Sequence, residues 1–178
     1  MNRRSFLILS VLLFALFNPC SSSAEVKSRY VTLQYNGDRG LLRNFNSELI
    51  LSRKLRYHLD KKNTVTIEDE VLAKLDIIVE KAETVLDMFP ANLHLTVVVL
   101  PTRGDVAAIY RKKYGKNANH IAYYSLKEDT IYISVRDTSL KVIAHEIGHA
   151  IVDHYFQDRP PYTIHELMAQ FTEQHIDD

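Results

Sequence analysis

The chain has 178 residues, 46% of them apolar and 25% charged, which suits one globular domain with a sizeable core. Its 22 basic residues balance 22 acidic ones, so no excess of positive charge points to nucleic acid as a partner. Histidine alone is unevenly spread: five of the eight (His145, His149, His154, His165 and His175) lie from position 145 onward.

Residues 1–24 differ from the rest. "MNRR" leads into the uncharged run "SFLILSVLLFALF" and then "NPCSSSA", with Ser22 and Ala24 at the −3 and −1 positions of a cleavage site. This is the pattern of a signal peptide, and thirteen apolar-run residues fall short of the roughly 20 that span a bilayer. An exported protein, periplasmic or secreted and free of the membrane after cleavage, is expected. "RRSFL" resembles a twin-arginine signal, although the apolar run suits the general secretory route as well. Cys20 precedes serines as a lipidated cysteine can, but Phe17-Asn18-Pro19 is a poor match to the flank such a site needs. Cleavage after Ala24 would remove the one cysteine, so any metal site in the remaining chain must be built from His and carboxylate groups.

Residues 25–178 carry no repeat, low-complexity tract or long linker and read as one domain. "SRYVTLQYN" (28–36) suits a strand, and 41–60 has an untidy helical pattern with Leu42, Phe45 and Leu49 on one face. Thr66 can cap a helix running to about Phe89, with Val71, Leu75, Ile78, Ala82, Val85 and Phe89 inward and Pro90 ending it. A buried strand is expected over 92–101, and a short helix over 104–115 stopped by Gly115. "HIAYYSL" and "TIYISVR" flank the polar turn Lys127-Glu128-Asp129 as a hairpin. Asp137, Thr138 or Ser139 can cap the next helix, and after Arg159-Pro160-Pro161 a last helix begins at Thr163 and runs to about His175. The order β, α, α, β, α, β, β, α, α suits an α+β domain with helices packed on one small sheet.

The helix after the hairpin contains "HEIGH". Residues four apart on a helix share a face, so His145 and His149 can converge on one ion. Glu146, one residue further round, cannot easily join them but can reach a water bound there and act as a general base. Apolar Val142, Ile143, Ile147, Ala150 and Ile151 imply a largely buried helix, in which two imidazoles and a carboxylate cost free energy unless partnered. Gly148 implies either room at a crowded site or close helix packing. The metzincin continuation is excluded, because Val152 and Tyr155 stand where it needs Gly and His. A third ligand is offered by Glu166 on the last helix. Thr163-x-x-Glu166 is also a capping box, in which Glu166 would only reach back to its own helix start. His165 is a rival ligand directed about 100° away from Glu166.

"HEIGHAIVDHY", the proline-containing break and "IHELMAQF" together resemble the gluzincin zinc metallopeptidases. The tail, with Glu166, Ala169 and Phe171, is similar to the third-ligand segment of the peptidase-MA-like group, and the first stretch, with Asp153, to the thermolysin active helix. The resemblance implies a zincin-like single domain: a small mixed sheet, an edge strand before the HExxH helix, and a following third-ligand helix. It implies that His145, His149 and Glu166 bind Zn²⁺ and that Glu146 activates water against a peptide or protein substrate. It further implies that the strand just before the active helix, "TIYISVR" or its partner "HIAYYSL", pairs with extended substrate. Two departures stand out. Gln170 occupies the place where thermolysin-like enzymes carry an aspartate that orients a zinc histidine. The group that stabilises the oxyanion is not marked, and Tyr162, His154, His165 and His175 are its candidates. A zinc-binding domain without peptidase activity, serving as a binding or assembly factor, is the alternative.

Overall fold

The structure is a computed structural model and describes residues 23–178; the expected signal peptide, with Cys20, lies outside the described residues except for its last two positions. A five-stranded mixed sheet has the order β1 (Ala24–Lys27), β2 (Val31–Tyr35), β3 (Leu95–Leu100), β5 (Thr130–Ser134), β4 (Ala122–Ser125). β2, β3 and β5 run parallel, while β1 and β4 close the two sides as antiparallel edge strands. β1 was not anticipated, and the strand expected over 28–36 is confined to β2, because Ser28 turns the chain by closing its N–H on Val31 O at 2.8 Å.

The helices are α1 (Arg39–Glu48), α2 (Arg53–Leu59), α3 (Ile67–Leu86), α4 (Arg103–Tyr114), α5 (Leu140–Tyr155) and α6 (Tyr162–His175). Alternation in β3 decides how they are layered. Leu95, Val97 and Val99 face the main core with α1, α3 and α5, whereas Val98 and Leu100 face the smaller cluster under α4. The pattern over 41–60 is two helices rather than one. Lys74 of α3 donates its Nζ to the carbonyls of Asn46 and Leu49 at 2.8 and 3.1 Å, satisfying the end of α1 from outside and letting the chain turn there. α3 starts on the expected Thr66, which forms a capping box with Asp69, but it stops before Phe89. Asp87 turns left-handed (φ 52°) and Met88 N–H closes on Glu83 O, so Met88 is buried and Phe89 is 59% exposed. α4 ends on Gly115 at φ 66°, as expected, and its start is capped by Thr102.

The hairpin β4–β5 is fastened to α5 through its turn. Asp129, left-handed at φ 50°, accepts hydrogen bonds from Tyr124 OH at 2.9 Å and pairs with His154 Nε2 at 2.8 Å. Half-buried Tyr124 keeps its phenol proton, and the hydrogen bond to Asp129 raises the His154 pKa. Among the described residues no helix is long and apolar enough to cross a membrane.

Candidate metal centre

Ser139 is the residue that caps α5, accepting Val142 N–H on its hydroxyl. Ile143, Ile147 and Ile151 recur every four residues and are fully buried, each contributing roughly 1.5–3 kcal/mol of burial. They fix which way the helix faces. His145 and His149 follow the same four-residue step two positions out of phase, about 200° round the axis, and so emerge at the rim. Gly148 lets α6 approach: a Cβ there would stand 2.8 Å from Thr172 Oγ1 and 3.0 Å from Ala169 Cα. Close helix packing is therefore its role, and it draws the acidic side chains of α6 onto the histidines.

The ligand atoms of His145, His149 and Glu166 lie within 4.8 Å of one another. The two Nε2 atoms are 3.1 Å apart, and the Glu166 carboxylate oxygens are each 3.5 Å from one of them. Donors at 2.0–2.2 Å from a tetrahedral centre sit about 3.3 Å from each other, so this group could hold a metal ion with little adjustment. Glu166 is not a cap. α6 begins at Tyr162 with Pro161 as its N-cap, so Thr163 lies within the helix, and no side chain caps it.

The outer contacts decide where the imidazole protons lie. Glu173 Oε2 is 3.1 Å from His145 Nδ1, and a carboxylate can only accept, so Nδ1 carries the proton and the neutral ring's Nε2 offers a lone pair. Asp153 Oδ1 is 2.9 Å from His165 Nε2, which places the proton there and a lone pair on His165 Nδ1. That lone pair is 2.7 Å from His149 Nδ1, which must therefore donate, leaving His149 Nε2 free as well. Burial, helped by His145 and His165, pushes the His149 pKa down to about 3 and keeps the ring neutral. With these tautomers the two Nε2 atoms and the Glu166 carboxylate face one another, an arrangement that could hold a cation.

Glu146 is buried beside them, and its Oε2 accepts the Tyr124 backbone N–H at 2.7 Å. Burial raises its pKa to about 7, against the Tyr124 hydrogen bond, with Glu166 and Glu173 adding repulsion. The remaining candidates separate clearly. His165 is neither a ligand nor free to face a substrate, since both nitrogens are engaged and the ring is fully buried. Asp153, with a 3% exposed side chain, binds His165 and also forms an ion pair with Arg159, its Nε at 3.1 Å. Gln170 does not touch a histidine; its amide donates to Glu166 Oε1 at 3.1 Å. His154 is held by Asp129, and His175 by Asp178. Tyr162, 74% exposed, is the one of the four oxyanion candidates left at the mouth of the site.

Glu173 was missed from the sequence, although it lies seven residues, two helical turns, beyond Glu166 on the same face. Also missed was the far wall. A cleft of about 450 Å³ runs from the histidines to Tyr110, Tyr114 and His120, with edge strand β4 between them. Ser134 N–H bonds Ile121 O, so by alternation Ala122 and Tyr124 direct their backbone groups away from β5. Comparison with protein-family models, curated proteins and solved structures returned no match.

Proposed function

We propose that this chain is an exported zinc-dependent peptidase of gluzincin type, with His145, His149 and Glu166 as the ligands. The observation that carries the proposal is the convergence of these three groups beside a buried carboxylate and the edge strand β4. A zinc ion bound there would supply Lewis-acid polarisation of a substrate carbonyl and acidification of water. Glu146 takes a proton from the attacking water as its oxygen bonds to the peptide carbon. It returns that proton to the amine as the C–N bond breaks. Its raised pKa suits both halves of this exchange. The outward N–H and carbonyl of Ala122 and the carbonyl of Tyr124 hold the peptide extended along β4. Tyr162, exposed at the mouth of the cleft, is the residue assigned to meet the developing oxyanion.

A non-hydrolytic zinc-binding factor is the second reading. It is favoured by the engagement of Glu146 with Tyr124 N–H and by the loss of three of the four oxyanion candidates to other partners. The discriminating experiment incubates zinc-loaded protein with a mixed peptide library beside the Glu146→Gln variant. Cleavage by the parent alone is expected. Intact peptides in both samples would favour the second reading, and equal cleavage in both would remove Glu146 from the mechanism.

A further inference from the structure

The aromatic wall at the far end of the cleft has no role in holding a metal or moving a proton. Tyr110 and Tyr114 project from the last turns of α4, one helical step apart, with ring centroids 4.7 Å from each other. Tyr110 also meets His120 at 4.9 Å and Tyr123 edge-on at 5.1 Å. Tyr123 is backed by Tyr132, stacked at 5.0 Å. Tyr114 OH is bound to Ser125 Oγ at 2.8 Å, and Tyr132 OH to Lys113 and Glu128. These hydroxyls are thereby held by local partners. Lys113 and Glu128 form an ion pair with each other, so neither offers a free charge to the cleft. Yet Tyr114 is 41% exposed and His120 is exposed too. The wall is aromatic, half-open and shares one cleft with His145, His149 and Glu166.

Strand geometry says what would meet it. Along β4, the side chains of Ala122 and Tyr124 join the core on the α5 side, whereas Tyr123 joins the cluster under α4. A peptide added along the outer edge of β4, through Ala122 and the Tyr124 carbonyl, continues this alternation. One set of alternate side chains falls on the α5 side, and the other beside Tyr123 and against Tyr110, Tyr114 and His120. We propose that this aromatic wall is a specificity subsite that takes a large uncharged side chain, aromatic or branched aliphatic, from the residue adjoining the cleaved bond or two further along. The inference rests on the peptidase reading and adds to it the class of substrate. Aromatic edges and faces without a free charge reward apolar area and leave a carboxylate poorly solvated.

The test has two arms on the full zinc-loaded protein. In the first, cleavage sites in a mixed peptide library are mapped by mass spectrometry for the parent, Tyr110→Ala and Tyr114→Ala, with zinc content checked in each. In the second, Phe-containing and Ala-containing versions of one peptide are titrated against the Glu146→Gln variant, with and without Tyr114→Ala. A preference of roughly 10- to 100-fold for Phe, Leu or Tyr at one position is expected, reduced at least severalfold by either tyrosine substitution. Cleavage with no side-chain preference, or a preference that survives both substitutions, would overturn the subsite and leave the peptidase reading standing. Tyr114-dependent selection of the Phe peptide without any cleavage would support the subsite and overturn the peptidase reading. Neither cleavage nor binding would overturn both.

Discussion

His165 Nδ1 stands 2.7 Å from His149 Nδ1, and its other ring nitrogen stands 2.9 Å from Asp153, so a buried histidine separates a candidate ligand imidazole from its carboxylate. The carboxylate fixes the His165 tautomer, and His165 in turn fixes that of His149. This makes His165 a positioning residue. His165→Ala is expected to weaken zinc affinity roughly 10- to 100-fold while leaving the stoichiometry at saturation unchanged. Competition with a chromogenic chelator measures it, and an unaltered affinity would refute the positioning role.

Glu173 does for His145 in one contact what Asp153 and His165 do for His149 in two. Its side chain is 39% exposed, so Glu173→Gln should fold normally. A zinc affinity lower by about tenfold or more is expected in the same chelator competition, with the metal-free melting temperature nearly unchanged. A change confined to the melting temperature would make Glu173 merely structural.

Gly148→Ala sets two effects against each other. Alanine gains about 1 kcal/mol of helix propensity, but its Cβ would lie 3.0 Å from the Ala169 backbone, which cannot move without shifting α6. Overpacking costs typically 1–3 kcal/mol and is expected to win. Urea unfolding of the metal-free protein should show a net loss of about 1 kcal/mol, and zinc affinity should fall because Glu166 and Glu173 ride on α6. A more stable variant with intact affinity would show that the helices do not depend on this contact.

Glu146 and His149 give metal-free protein opposite pH dependences. The folded pKa of His149 is lowered to about 3, so its contribution is complete above the ordinary value of 6.5 and is lost as pH falls toward 3. The folded pKa of Glu146 is raised from 4.5 to about 7, so stability falls as pH rises across that interval. Between pH 5 and 8 the parent should therefore lose roughly 2 kcal/mol relative to Glu146→Gln, compared by urea unfolding at the two pH values. Parallel behaviour would mean that Glu146 is not desolvated.

Local periodicity made much of the α+β fold legible: the capped starts of α3 and α5, the hairpin and its turn, and strand β3 all follow from short stretches. The misses are tertiary. The break between α1 and α2 depends on Lys74 reaching across from α3, and the burial of Met88 in place of Phe89 depends on one left-handed aspartate. The same division holds at the candidate site. His145, Glu146 and His149 are set by helical spacing alone, but Glu166 had two readings until the start of α6 fell on Pro161. The 100° between His165 and Glu166 suggested that only one could face α5. A packed helix presents a stripe at least that wide, and both do. Gln170 shows the reverse: the resemblance implied a place beside a histidine, and the fold gives it to Glu166.

Metal content of the purified protein, measured for the parent and for Glu166→Ala, tests the proposed centre most directly. One zinc per chain in the parent, lost or bound far more weakly in Glu166→Ala, is the expected result. Equal zinc in both proteins, or none in the parent after incubation with the metal, would contradict a centre built from His145, His149 and Glu166.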